Sequence, residues 1–159
     1  MTPEHHYAVE LEWLGNRGTG TSGYRDYGRQ HVLRTEGAAA IEGSADRAFH
    51  GDTERWNPEE LLLAALSQCH LLSYLHVAVL HGIVVEEYVD AATGAMEQTA
   101  DGGGHFTSAV LRPVVTISAG DPELARTIHA EASAKCFIAS SVNFPVTHQP
   151  VIRVVARSA

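Results

Sequence analysis

The chain has 159 residues, is 45% apolar and carries a formal charge of −8, with a pI near 5.6. That is enough apolar material for one globular domain over residues 1–159, and it excludes intrinsic disorder. Lys135 is the only lysine among eleven Lys and Arg residues, so the clustered positive charge that nucleic-acid binding requires is absent.

The opening Met1-Thr2-Pro3-Glu4-His5-His6 has no basic stretch leading into an apolar run, so no secretory signal is predicted. Tyr7 to Leu14 alternates well enough to predict a strand. It runs into Gly15-Asn16-Arg17-Gly18-Thr19-Gly20, a glycine-rich connection. Tyr27 to Thr35 and Ala39 to Gly43 are predicted as further strands, with a polar loop over Glu42 to Trp56.

The first helix has a clear start: Asn57 as N-cap, Pro58 at the first helical position, and Glu60 three residues after the cap. Leu62, Leu66, Cys69, Leu72, Ser73 and His76 form one stripe at helical spacing, with Leu61, Ala64, Leu71, Leu75 and Ala78 beside it. A helix apolar on most sides belongs in the middle of a fold. Ser67, Gln68, His70, Ser73 and His76 interrupt the apolar run, which predicts a core helix rather than a membrane span. Gly82 is placed to end it.

Ile83 to Glu97 and Phe106 to Ser118 are rich in β-branched residues and predict two strands joined by a hairpin turn at Ala100 to Gly104. Asp121-Pro122-Glu123 opens a second helix running to about Cys136. Val146 to Ala156 is read as the closing strand. The order of strands, long helix, hairpin, helix and strand defines an α+β domain.

Chemistry centres on two thiols, Cys69 and Cys136. Each alone reads equally well as a small core hydrophobe. With no export signal the expected location is cytoplasmic, where a permanent structural disulfide is disfavoured. The pair is then either reduced filler or a working redox couple. There is no Cys-x-x-Cys, and none of the ten histidines falls in a metal-binding spacing. His129 is placed on the polar side of the second helix, and no metal or cofactor is called for. A nucleophilic thiol needs a neighbouring positive charge to become a thiolate. Arg17, in its glycine-bounded loop, is the candidate, with Arg25 and Arg29 as competitors. A buried arginine needs a carboxylate, which Glu59 in the first helical turn would supply.

Asn57-Pro58-Glu59-Glu60-Leu61, then Ala64-Ala65 and Cys69, resembles the helix of the OsmC/Ohr family (osmotically inducible protein C and organic hydroperoxide resistance protein). The late second cysteine after a Pro-initiated helix, and Arg17-Gly18-Thr19-Gly20 after Trp13, are similar to that family too. The resemblance implies an intertwined homodimer with two long central helices wrapped by sheets. It implies a thiol peroxidase acting on organic hydroperoxides, with Cys69 peroxidatic, Cys136 resolving, and Arg17 and Glu59 the activating pair. It also implies a dithiol reductant such as a lipoylated protein. Phe137 stands where many relatives carry proline. An apolar pocket from Leu62, Leu66 and Leu72 with Phe137 or Phe144 would favour alkyl or lipid peroxides. The alternative is a non-catalytic dimer holding a lipid or other small molecule.

Glu59 and Cys69 are ten positions apart on one predicted helix, about 15 Å along its axis at 1.5 Å per residue. An arginine touching both groups would therefore need Glu59 from a neighbouring subunit.

Overall fold

The computed structural model describes residues 2–155 and resolves into two compact units, one up to Leu61 and one from Leu62 onward. The α+β class is as expected: nine strands and two α-helices among the described residues.

The first unit holds an antiparallel sheet of β1 (Glu10–Trp13), β2 (His31–Arg34) and β3 (Ile41–Gly43). Trp13 stands opposite His31 and Glu10 opposite Arg34. These strands are shorter than the sequence predicts, because hydrogen bonds other than ladder bonds hold the flanking chain. Leu14 N donates to Gln30 O at 2.8 Å, Gly28 N to Gly15 O at 2.7 Å, and the Trp13 indole to Gly28 O at 2.8 Å. A Cβ at Gly15 would meet Gly28 O at 1.8 Å, so only glycine permits this approach. The polar stretch after β3 contains one 3-10 turn, Arg47–Phe49, capped by Asp46.

Helix α1 (Pro58–Leu80) has its first turn in the first unit and the remainder in the second. Its start is the predicted capping box: Glu60 N donates to Asn57 Oδ1 at 2.8 Å, and Asn57 N to Glu60 Oε2 at 3.4 Å. Gly82, at φ 67°, closes the helix in the left-handed conformation. By length and composition α1 would suffice to cross a membrane. In this fold its Tyr74, Val77 and Ala78 pack instead into the core of the second unit.

That unit has two three-stranded sheets. One joins β4 (Val84–Asp90), β7 (Pro113–Ala119) and β9 (Val151–Val154); the other joins β5 (Thr93–Gln98), β6 (Gly104–Leu111) and β8 (Val146–His148). The three segments read as single strands are therefore each two. β4 gives way to β5, β6 to β7 and β8 to β9, changing sheet at Ala91-Ala92, Arg112 and Gln149-Pro150. The changes share one set of bonds. Arg112 N donates to Asp90 Oδ1 at 2.6 Å, and its guanidinium to Thr93 Oγ1 at 2.7 Å and Gln149 Oε1 at 3.2 Å. Backbone groups that leave a ladder need other partners, and these side chains supply them. The predicted end of the closing strand at Ala156 lies outside the described residues.

Helix α2 (Pro122–Ala134) is capped by Asp121, which accepts from Glu123 N and Leu124 N. It buries Ala125, Ile128, His129 and Ala132, and Ala125, Ile128 and Ala132 join Val115, Ile117 and Ile83 in the core.

Candidate active site

The buried face of α1 is Leu66, His70, Tyr74, Val77 and Ala78, a stripe at helical spacing. Cys69, Leu72, Ser73 and His76 lie on the flank of that stripe. With Lys135 and Phe137 they line a cavity of about 510 Å³. The apolar pocket expected from sequence is corrected in part: Leu72 and Phe137 line it, whereas Leu66 turns into the core and Phe144 stacks on Phe106. Leu72 is 65% exposed and Phe137 77%, so the cavity has an apolar, open rim.

Both cysteines are free thiols, Cys69 half-buried and Cys136 buried at 1% exposure. Cys136 follows the last turn of α2, its N–H donating to Ser133 O at 3.1 Å. The chain then folds back so that Ala139 N donates to the Cys136 sulfur at 3.4 Å. Burial, with the Cys69 thiol beside it, pushes the Cys136 thiol up to about 11, the Ala139 N–H working in the opposite direction. Cys136 is therefore a neutral thiol near pH 7, and Cys69 is the sulfur that reaches the cavity.

Cys69 and Cys136, two of the four predicted site residues, thus lie side by side in the second unit, while Arg17 and Glu59 belong to the first. Arg17 is exposed; its guanidinium donates to Arg25 O at 3.4 Å, in a loop shaped by Asn16, whose side chain accepts from Gly18 N and Gly20 N. No ion pair joins Arg17 to Glu59 among the described residues. Glu59 instead shares a cavity of about 270 Å³ with Arg29, His31, Asp46 and Phe49, and its buried Oε2 has no hydrogen-bond partner. Arg29 is fixed over the rings of Tyr24 and Tyr27 at 4.6 and 4.2 Å and donates to both their carbonyls. Arg29, a competitor of Arg17 in the sequence, thus lines the same cavity as Glu59.

His129 is also corrected: it is 2% exposed, not on a polar face. His70, at 1%, is its partner, Nε2 to Nδ1 at 2.9 Å. The His148 ring stacks on His70 at 4.2 Å and Tyr74 on His129 at 4.0 Å. Burial, with the neighbouring imidazoles adding to it, lowers His70 to about 3. Burial and the charge of nearby His148 and Arg126 lower His129 to about 4. The signal was available: His70 lies four residues after Leu66, and His129 four after Ala125, so each continues a buried stripe. No group of three or more His, Cys, Asp or Glu side chains is arranged to hold a metal ion among the described residues.

Comparison with known proteins gives the same architecture. The profile of the family described as OsmC-like protein matches residues 50–150. An OsmC-like protein of unknown function from Vibrio cholerae superposes with a TM-score of 0.83 at 28% identity, over 93% of this chain and 100% of that one. Two proteins named organic hydroperoxide resistance proteins share the fold at 16% identity and a TM-score of 0.64. The one from Legionella pneumophila covers 96% of this chain and 99% of its own. The one from Elizabethkingia anophelis covers 96% and 100%. No curated protein matches.

Proposed function

The chain belongs to the OsmC-like family, and on that premise we propose that it is a cysteine-based peroxidase reducing organic hydroperoxides to alcohols. One observation carries the reading: the half-buried Cys69 thiol lines a cavity with an apolar rim and lies beside the buried Cys136 thiol. The names of the two hydroperoxide-resistance relatives, which share this fold, support it.

In the proposed cycle the Cys69 thiolate attacks the distal oxygen of the hydroperoxide, and the O–O bond breaks. The departing alkoxide takes a proton and leaves as the alcohol, with Cys69 as the sulfenic acid. Cys136 brings its own proton, condenses with Cys69 to the disulfide and releases water. A dithiol, such as a lipoyl group on a protein, reopens the bond by exchange and is itself oxidised to a disulfide. Every electron passes through sulfur, so the cycle as proposed calls on no metal or flavin. Leu72 and Phe137 favour alkyl chains over hydrogen peroxide.

The active form in this proposal is a homodimer working in the reducing cytoplasm, each chain contributing one domain over residues 1–159. All four residues of β1 are exposed, and the adjoining Tyr7, Val9 and Leu14 are exposed apolar side chains, a surface a second copy would cover. Glu59 and an arginine, Arg17 or the better-placed Arg29, would polarise the thiol across that interface. The unpartnered Glu59 oxygen supports such a missing contact.

A stoichiometric dose of cumene hydroperoxide followed by thiol titration tests the reading. Rapid loss of both thiols is expected. Retention of both would favour the second reading, a dimer that binds a lipid or small molecule in the same cavity with its cysteines passive.

A further inference from the structure

We infer that His70 and His129 are positioning residues for the Cys69–Cys136 pair: their hydrogen bond is a strut that sets how closely α1, which carries Cys69, and α2, whose end leads into Cys136, approach. The inference deepens the proposed cycle and rests on its disulfide. His70 directly follows Cys69 on α1. His129 lies on the buried face of α2, seven positions before Cys136, which follows that helix's last turn. The two imidazoles meet at 2.9 Å, and one turn further along α1 the Tyr74 hydroxyl donates to Ala125 O at 2.9 Å. The pairs 70 with 129 and 74 with 125 run in opposite order, so the helices are antiparallel here. Moving along α2 from the strut toward its C-terminus leads to Cys136.

Both rings are locked. His148, carried on β8, covers one ring at 4.2 Å and Tyr74 covers the other at 4.0 Å, so neither imidazole can turn without losing a stack. The outer nitrogens, His70 Nδ1 and His129 Nε2, are buried with no hydrogen-bond partner. Whichever tautomer is present, one N–H and one lone pair go unsatisfied, each at a cost of about 1–3 kcal/mol. Two leucines would fill such a site without that cost. The pair therefore does something that stability alone does not require, and holding two helices at a fixed spacing is what its geometry does. A disulfide forms only when the two Cα atoms lie within about 4.4–6.8 Å, so helix spacing governs the effective concentration of one thiol at the other.

The test is the equilibrium between the protein dithiol and graded mixtures of reduced and oxidised dithiothreitol, read by alkylation and intact mass on the full chain. In His129→Leu the constant for closing the Cys69–Cys136 bond is expected to fall about tenfold, or about 30 mV for a two-electron couple. His129→Gln, whose amide can still bond to His70, should recover most of it. A residue that only stabilised the fold would lower the stability of the reduced and oxidised forms equally and leave this constant unmoved. Should His129→Leu fail to fold, His70→Leu supplies the second reading, with a fall of about tenfold expected because it too removes the hydrogen bond. An unchanged constant in the folded variant overturns the strut while the proposed cycle stands. Absence of any intramolecular disulfide in the unsubstituted protein overturns both.

Discussion

Acid should loosen this protein well before its carboxylates titrate. His70 and His129 are neutral in the fold down to about 3 and about 4, whereas in the unfolded chain both return to 6.5. A histidine whose folded pKa is depressed contributes stability that is fully present above about 6.5 and is lost as pH falls, because the unfolded state then binds more protons. At pH 5 each ring has forfeited about 2 kcal/mol relative to pH 7.5, about 4 kcal/mol together. Both rings are essentially inaccessible to solvent, so screening takes little from that figure. His148, also lowered by burial, acts in the same direction. Glu131 and Asp101, whose pKa values are lowered by hydrogen bonds, lose stability only below their ordinary values of 4.5 and 3.8 and so fall outside this window. Against a typical stability of about 5–15 kcal/mol the loss is large. Urea unfolding at fixed protein concentration, from pH 7.5 to 5, should show the midpoint falling by about 2 M for an m-value of about 2 kcal/mol/M. His129→Gln should roughly halve the slope. A midpoint that holds steady across that range would refute the claim that these imidazoles are neutral and buried.

Other outcomes follow from the same geometry. Cys69→Ser should abolish peroxide consumption, and Cys136→Ser should permit one oxidation of Cys69 while stopping turnover with a dithiol; stopped-flow peroxide assays read both. With its thiol near 11, Cys136 should react with iodoacetamide at pH 8 hundreds of times more slowly than an ordinary cysteine, and peptide mass mapping over time would show equal rates if that burial were wrong. Asn57→Ala removes the acceptor for Glu60 N and should cost about 1 kcal/mol by urea unfolding. Tyr74→Phe removes the hydroxyl that donates to Ala125 O, which keeps its helical N–H partner, and should cost about 0.5–1.5 kcal/mol in the same assay.

How far the chain could be read depended on whether a feature is local. Both α-helices could be placed because their starts are written in adjacent residues: Asn57-Pro58 with Glu60, and Asp121-Pro122. The cysteine pair was legible as two unusual residues, but their contact depends on how α1 crosses α2, which no spacing encodes. The bent strands were missed for a related reason. Ile83 to Glu97 carries strand-forming residues throughout, and the change of sheet at Ala91-Ala92 is imposed by Asp90 and Arg112, twenty-two positions apart. His129 differs from its expected polar placement because polarity follows place on the helix rather than residue type. His129 follows Ile128 and stands four after Ala125, so its helical phase puts it inside. Loop shape gives the two arginines different settings that no spacing encodes: Asn16 folds its own turn around Arg17, while Arg29 is anchored by two tyrosines.

The seam where three strands switch sheets reaches further than the sheets. Asp90, which accepts the Arg112 amide there, also accepts the Ser67 hydroxyl at 2.5 Å, and Ser67 stands two residues before Cys69. A single carboxylate thus moors the thiol-bearing helix to the most irregular line in the β-structure. The link from that line to the sulfur is one side chain long, and replacing Asp90 by alanine would cut it.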